Sequence, residues 1–571
     1  MKRKRFAAIL MAMVMAIGLL AGCGNSENGS TQGKGDTSQG GNAASESSKA
    51  PKDTAEAGTE SQGSTQAGDA QKATDPESSA GDANADDAYG DYNVTWEDTA
   101  DITIMYCSMG PVPNGLKAVE DAVNAITEAE IDTHVTLNVV EVGNYDQQAN
   151  LLLSSGEQVD LMITMPGGPA SLSTMSSQKQ LTDITEIVDT HAPSIKDSIG
   201  DYLKGTTIDG KLYGVTAYKN FISAIYIIMR TDVLEDLGLL EKAQNMTSFK
   251  EYEEILEAVK SSEKWSYLSG VGPSDGHGNI LPVQNANLHA NEFSGCGYFD
   301  NLGDTQFIVN TDPTGADPTV RLNFETEEFR KMYDITRDWY EKGYIYKDSA
   351  TTTEMSTELV KSNVIFSYIN QMEIGTEISA SVNSGMDMTC TKVVELPVTT
   401  GNVTKFVWVV PMTAKEPEAA ITFLEMMNRD SRISNLLAWG IDGVDYEVGT
   451  DGVAHFIEGN ENPAYHGVDF LVVNQFNLLP WEGNDPQLRT KGKTAMENAV
   501  ISPYMGFVCD TTPFTTELSA VTNVINEYRA QITAGVASEE TFQQFLDKLH
   551  GSGVDKIVEE YQRQLNEWLT K

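Results

Sequence analysis

Basic residues are scarce in this 571-residue chain: 39 Lys and Arg stand against 83 Asp and Glu, a formal charge of −44. Nucleic-acid binding needs clustered Lys and Arg on the phosphates, so no nucleic-acid partner is expected. Long apolar runs are missing after residue 20, which leaves no downstream segment to span a bilayer. Cysteine is rare and no Cys-x-x-Cys occurs. Cys107, Cys296, Cys390 and Cys509 are widely spaced and read as free buried thiols, with pairing in an oxidising compartment as the alternative. The seven histidines include no His-Glu-x-x-His or other close pair, so no metal site is expected, and no cofactor.

What is present begins with Lys2 to Arg5, a basic start, followed by an uncharged apolar run from Phe6 to Leu20. That is the layout of a secretion signal, too short for a permanent span. Leu20-Ala21-Gly22-Cys23 then resembles the lipobox of bacterial lipoproteins. The resemblance implies cleavage after residue 22, a diacylglycerol on the Cys23 thiol, and a protein held by lipid on the outer face of the cell membrane. The alternative is an ordinary secretion signal with an unrelated cysteine.

From Gly24 to Tyr92 the chain contains no Val, Ile, Leu, Met, Phe or Trp. Such a segment has nothing to bury against the entropy of ordering itself and is expected to remain a disordered tether. About 69 residues of flexible coil reach roughly 40–50 Å. Folding is expected to begin near Val94.

The pattern then alternates strand and helix. Asp101–Tyr106 reads as a strand, Leu116–Ile126 as a helix, His134–Val142 as a strand of period two, Tyr145–Ser154 as a helix closed by Gly156, and Val159–Thr164 as a third strand. Repeated β-α-β units predict an α/β protein with a mainly parallel sheet, its ligand loops at Cys107–Pro113 and Met165–Gly168. Near the end, three apolar stripes of helical spacing predict helices: Leu518 to Ile532, Phe542 to Leu549, and Val554 to Trp568.

Asp209-Gly-Lys-Leu-Tyr-Gly214, the apolar strand Phe221–Arg230, Asp232–Gly238 and the helix start Ser248-Phe-Lys-Glu251 follow in that order. With Ser362–Asn370 and Lys415–Leu424, they resemble the extracellular solute-binding proteins of ABC importers, in the family that includes the maltose binder. Gly440-Ile-Asp-Gly-Val-Asp-Tyr446 and Ser502–Asp510, continuing to Pro513 and Glu517, resemble the lipoprotein subgroup with an added C-terminal helical region. Asp442 stands where that subgroup usually has Glu. The resemblance runs from about residue 100 to the end.

It implies a two-lobed, periplasmic-binding-protein-like (type II) fold with hinge crossovers near 217–221 and 397–406. Lobe 1 would hold about 93–217 and 406–440. Lobe 2 would hold about 221–397 and 441–571, including helices over 515–571. The implied function is capture of a carbohydrate, an oligosaccharide in the first instance, and delivery to ABC permease subunits by a monomer. Binding of peptide or another small polar solute, an adhesion or structural role, and a cleft glycosidase stand as alternatives. Sugar clefts combine aromatic faces with groups that fix hydroxyls. The candidates are Tyr106, Tyr145, Tyr218, Tyr368, Trp408, Trp439 and Tyr504 with Asn220, Asn370 and Asp510, and the hinge and loop positions Tyr218, Asn220, Tyr368 and Asn370 rank first. No catalytic residue is expected. Gly272-Pro-Ser-Asp-Gly276 with His277 fits Gly-x-Ser-x-Gly, but Pro273 and the glycines around it are loop chemistry rather than a nucleophile elbow.

Overall fold

The computed structural model describes residues 92, 94, 96–166, 168–274, 279–281, 293, 297–303, 305, 307–460 and 462–571. Cys23, the segment 24–91, His277 and Cys296 lie outside them. The folded body starts slightly before Val94: the Arg429 guanidinium lies 5.6 Å from the Tyr92 ring centre, and Trp96 Nε1 donates to Ile131 O at 3.0 Å.

Chain order explains the architecture. Strand β1 (Ala100–Ser108), helix α1 (Leu116–Ile131) and β2 (Thr133–Glu141) form a right-sized β-α-β unit, with β1 and β2 parallel from Ala100↔Thr133 to Ser108↔Glu141. Helix α2 (Tyr145–Ser155) ends at Gly156, whose φ of 74° is the left-handed cap that a glycine accepts without a Cβ clash. Then β3 (Leu161–Ile163) pairs parallel to β1 on its other side. After β4 (Val215–Thr216) the chain crosses to a second body through residues 217–222.

That second lobe opens with β5 (Ser223–Arg230), buried along its whole length and therefore apolar almost throughout. Helix α3 (Phe249–Ser261) starts at Ser248, whose Oγ accepts from Glu251 N at 3.3 Å. The Glu251 carboxylate reaches back one residue beyond Ser248 and accepts from Thr247 N at 2.7 Å. There follow β6 (Ser269–Gly272), α4 (Glu327–Glu341), α5 (Ser356–Lys361), β7 (Ile365–Glu373), α6 (Glu377–Ser384) and β8 (Met388–Glu395). The sheet runs β8-β5-β7-β6, with β5 antiparallel to both neighbours.

Residues 396–406 return the chain to lobe 1. There β9 (Val407–Val409) lies antiparallel between β3 and β4, giving the order β2-β1-β3-β9-β4. The expectation of a mainly parallel sheet therefore holds only for β1–β3. Because β9 enters from the crossing and not from a helix packed on the sheet, it runs the other way. Helices α7 (Pro417–Arg429), with Pro at its first turn, and α8 (Ser431–Trp439) complete this layer.

The lobe boundary after residue 440 needs correction. Tyr446, Ala454, Tyr465, Leu471, Val473, Leu478 and Met496 are buried in the core of lobe 1, not lobe 2. Gly440, at φ 94°, makes the turn that sends this segment back, and a Cβ there would fall 2.5 Å from Asp445 Oδ2. Asp445 then accepts from Ile441 N at 2.9 Å and from Tyr465 N at 3.1 Å, so it is Asp445, not Asp442, that holds the motif together. The segment includes α9 (Leu488–Glu497), and the chain crosses to lobe 2 only near residues 500–505. The three crossings are hydrogen-bonded to one another: Ala217 N to Phe406 O at 3.0 Å, and Val398 N to Val500 O and Ser502 N to Val398 O, both at 2.9 Å.

Helices α10 (Thr515–Thr533), α11 (Glu539–Gly551) and α12 (Val554–Trp568) bury the predicted stripes in the lobe 2 core with Phe329, Tyr333 and Trp339. A smaller core on the other face of the lobe 2 sheet holds Tyr226, Leu359, Ile365, Tyr368 and Ala380. Cys107, Cys390 and Cys509 are free thiols. Among the described residues no helix is long and apolar enough to cross a membrane.

Candidate functional site

Strand direction locates the site. The parallel strands β1, β2 and β3 end at Ser108, Glu141 and Ile163, and Thr164 just beyond β3 bonds Val407 at the start of β9, beside the crossings. In lobe 2, Glu373 at the end of β7 faces Ser223, and Glu395 at the end of β8 faces Ala224, where β5 leaves the first crossing. Both lobes thus turn strand ends and their loops toward the crossings, the usual place for a ligand in such sheets. At this junction Lys219 Nζ meets Glu373 Oε1 at 3.3 Å, and Asn220 Nδ2 donates to Ile374 O at 3.1 Å. Helix α9 reaches across as well: a Cβ on Gly492 would touch Asn220, and one on Gly375 would touch Leu488, at 3.2 Å each.

Of the predicted residues, Tyr218 stands here partly exposed, and Asn370, also partly exposed, lies three residues before the end of β7, opposite Tyr226. Tyr218 sits in an aromatic nest, its ring centre 5.1 Å from Phe476, 6.1 Å from Tyr202 and 6.3 Å from Phe221. Asn220 is at the hinge but buried, holding Ile374 O and Ile222 N, so it fixes the crossing rather than facing the gap.

The other predicted aromatics are side chains of the packed interior in this conformation, which corrects their placement at the cleft. Tyr106 and Trp408 line an apolar cavity of about 20 Å³ inside lobe 1, with Ile104, Leu137 and Phe423. Trp408 Nε1 donates to Leu471 O at 2.8 Å, and the Tyr106 and Tyr465 hydroxyls lie 3.4 Å apart. Tyr145 is fully buried and donates to Ile163 O at 2.6 Å; burial pushes its pKa well above the ordinary phenol value. Tyr504 belongs to the lobe 2 core, and Tyr368, 3% exposed, to the smaller core with Leu359 and Ala380. Asp510 is exposed but caps the start of the tail, accepting from Thr512 N at 2.9 Å while its peptide group bonds Gln564. A tyrosine's identity carries no record of which way it faces, so its sequence position alone placed it wrongly.

The segment 464–482 supplies groups that sequence reasoning missed. It begins over the end of β1, where Gly115 N donates to Ala464 O at 2.8 Å and a Cβ on Gly115 would meet the Ala464 carbonyl carbon at 2.9 Å. Midway it runs along the hinge: Tyr218 N donates to Val473 O at 2.7 Å, and Gln475 N to Tyr218 O at 2.9 Å. On and beside it, Trp439, Phe456, His466 and Trp481 form one aromatic cluster, with the His466 ring 4.4 Å from Trp481 and 5.3 Å from Trp439. Trp439 is 4% exposed, its Nε1 donating to Leu479 O at 3.1 Å. This segment has little regular structure, so no periodicity in the sequence marks it.

Burial pushes the His466 pKa from 6.5 down to about 4, against a small opposing pull from Asp469. The unfolded chain therefore takes up a proton below about pH 6.5 that the folded chain refuses until about pH 4. The sign follows: unfolding binds the proton, so stability from this group is present above pH 6.5 and falls as pH drops through the window, by at most roughly 3 kcal/mol. Replacing His466 by Phe is expected to flatten the loss of melting temperature between pH 6.5 and 4. An unchanged slope in the variant would show that His466 titrates normally.

Comparison with known proteins fits this geometry. Residues 121–441, more than half of the chain, match the model of a family described as bacterial extracellular solute-binding protein, and residues 503–570 match a domain of unknown function. A carbohydrate ABC transporter substrate-binding protein of Streptococcus pneumoniae serotype 4 is 23% identical over 479 residues, covering 81% of this chain and 90% of that protein. Among solved structures, the N-glycan transport solute binding protein of S. pneumoniae superposes with a TM-score of 0.68 at 20% identity, covering 83% of this chain and 99% of its own. Its complex with Man5GlcNAc gives 0.56 over 82% and 99%. Two lobes, hinge crossings and the family match agree: the chain belongs to the bacterial extracellular solute-binding protein family.

Proposed function

We propose that this protein captures a carbohydrate, an oligosaccharide in the first instance, between its lobes and delivers it to the permease of an ABC importer, without catalysing a reaction on it. The observation that carries the reading is the pair of strand-end faces turned toward three crossing segments, with partly exposed Tyr218 and Asn370 beside them. The carbohydrate relatives support the class of solute. A solute touching both lobes gains its second set of contacts only when they close, so binding shifts the open–closed equilibrium by its differential affinity.

The test is a thermal-shift screen of the mature chain against oligosaccharides and peptides. A specific glycan at a hundredfold excess over its Kd is expected to add about 2.7 kcal/mol of apparent stability. If peptides raise the melting temperature and no glycan does, the solute is of the other class.

Cys23 is read as the lipid attachment site, which keeps the binder beside its permease. Cys23→Ala is expected to move the protein from the detergent phase to the aqueous phase on temperature-induced phase separation. A variant that still partitions with detergent has another anchor.

A further inference from the structure

Residues 504–507 sit astride both lobes. Tyr504 and Phe507 are buried in the lobe 2 core, whereas Met505 between them is buried in the core of lobe 1. Gly506, at φ 97°, has no room for a side chain: a Cβ would stand 2.6 Å from Lys204 O, in the turn Gly200–Thr206 of lobe 1. Thr400 of the second crossing pins the same stretch, its Oγ1 accepting from Gly506 N at 2.9 Å and donating to Tyr504 O at 3.3 Å. Just before it, Ser502 Oγ donates to the buried Asp300 carboxylate of lobe 2.

The end of the chain returns to this place. Trp568, at the end of α12, packs edge-on against Phe507 at 5.9 Å, and its ring comes within 4.0 Å of where a Gly506 Cβ would stand. Three residues on, Lys571 Nζ meets Asp209 Oδ1 at 2.7 Å. Asp209 and Gly210 form the tip of hairpin 207–212, at φ 49° and 79°, as a two-residue hairpin turn requires. The last helix of lobe 2 is thereby tied to lobe 1. Lobe 2 itself does not need that tie, since the buried residues of α12 end at Leu565.

Position decides what such a tie does. The turn and hairpin lead into β4, the edge strand in the order β2-β1-β3-β9-β4, with Tyr213 N donating to Thr206 O at 3.1 Å. The first crossing leaves β4 and the second enters β9, while the cleft opens over the ends of β1–β3. The tie therefore stands across the crossings from the cleft. Swinging lobe 2 onto the ends of β1–β3 carries α12 away from the hairpin.

We propose that the C-terminal region, the part matching a domain of unknown function, is a brace behind the hinge that holds the lobes apart and sets how tightly solute is bound. From the binding reading the proposal takes only that solute closes the lobes. Closure has to break the contacts of Gly506 with Lys204 and of Lys571 with Asp209. They lower the fraction of closed, binding-competent protein, and the apparent Kd rises in proportion.

Spin labels at Glu141, at the end of β2, and at Lys392, on β8, both exposed, report the gap by double electron–electron resonance in the mature chain. Calorimetric titration with Man5GlcNAc reports affinity. A chain ending at Glu567 loses Trp568 and Lys571 but keeps every buried residue of α12. It is expected to show a shorter mean distance and a Kd lower by threefold or more. Asp209→Lys sets like charges face to face and is expected to move both readings the same way by a smaller step. Adding Lys571→Glu restores an ion pair and is expected to return both to the parent values, which loosened packing in lobe 2 would not do. Distances that lengthen, or stay unchanged in both the shortened chain and Asp209→Lys, overturn the brace. Should the shortened chain fold poorly, Asp209→Lys and its rescue decide alone. The distance needs no sugar: a parent that ignores Man5GlcNAc counts against the carbohydrate reading and leaves the distances to decide the brace.

Discussion

A chain ending at Cys509 is expected to lose its second lobe altogether, not merely a C-terminal appendage. Helices α10–α12 contribute Val521, Ile525, Phe542, Phe545, Leu549, Ile557, Tyr561 and Leu565 to the lobe 2 core. Their rings interlock with those from earlier in the chain: Phe542 stacks on Tyr333 at 4.5 Å, and Phe545 meets Phe324 edge-on at 4.9 Å. The turn between α10 and α11 lies against α4 so closely that a Cβ on Gly535 would collide with Thr336 O. Fully burying one such side chain is worth roughly 1.5–3 kcal/mol. Eight of them come to about 12–24 kcal/mol, which matches or exceeds the roughly 5–15 kcal/mol by which a whole domain is stable. Circular dichroism and limited proteolysis of the truncated chain should show a protected lobe 1 beside a digested lobe 2. Cooperative melting at the parent's temperature would mean that the tail is dispensable to the fold. Phe542→Ala tests the same packing by one side chain, at an expected cost of about 3–5 kcal/mol.

The tail was legible in the sequence because helix periodicity reports burial directly: most residues striped at helical spacing went inside, and the rest, such as Leu518 and Trp568, pack partly buried against the core. The β-α-β start was legible for the same reason, as was Gly156, where a left-handed cap selects a glycine. The region from 441 to 500 was not. It is built of short elements and turns, and nothing local to Tyr446 or Tyr465 says that they fill lobe 1 and not lobe 2. That assignment depends on a turn at Gly440 and a carboxylate at Asp445, both acting on partners distant in sequence. The candidate site suffered likewise. Tyr145 and Tyr218 are the same residue type near the same kind of loop, yet one donates its hydroxyl to two backbone carbonyls in the core and the other stands partly open at the hinge. Of the cluster around Trp481, Trp439 at the end of α8 drew notice as a single aromatic, but Phe456, His466 and Trp481 come from irregular chain, where spacing conveys nothing about proximity.

Tyr218→Ala and Tyr368→Ala are expected to fail in opposite ways, and the contrast tests the site as a whole. Tyr218 is part of the first crossing, bonded through its backbone to the lobe 1 edge and leaving its ring partly open beside the Lys219–Glu373 bridge. Losing its face should cost a bound sugar on the order of 1–3 kcal/mol by analogy with base–aromatic stacking, a rise in Kd of tenfold or more. Its melting temperature should move little, because neighbouring rings of the nest remain. Tyr368 is packed beneath α5 and α6, so its removal leaves a cavity and should cost about 3–5 kcal/mol of lobe 2 stability, with affinity nearly unchanged once the protein is folded. Titration and thermal melts of both variants read the two effects separately, and small-angle scattering of the parent should show a smaller radius of gyration when glycan is bound. The opposite pattern, a Tyr368 variant that melts normally but binds weakly, would mean that this ring leaves the core when the lobes close. A glycan that binds tightly with no compaction, and equally well to both variants, would place the site away from the crossings and end the closure mechanism for this protein.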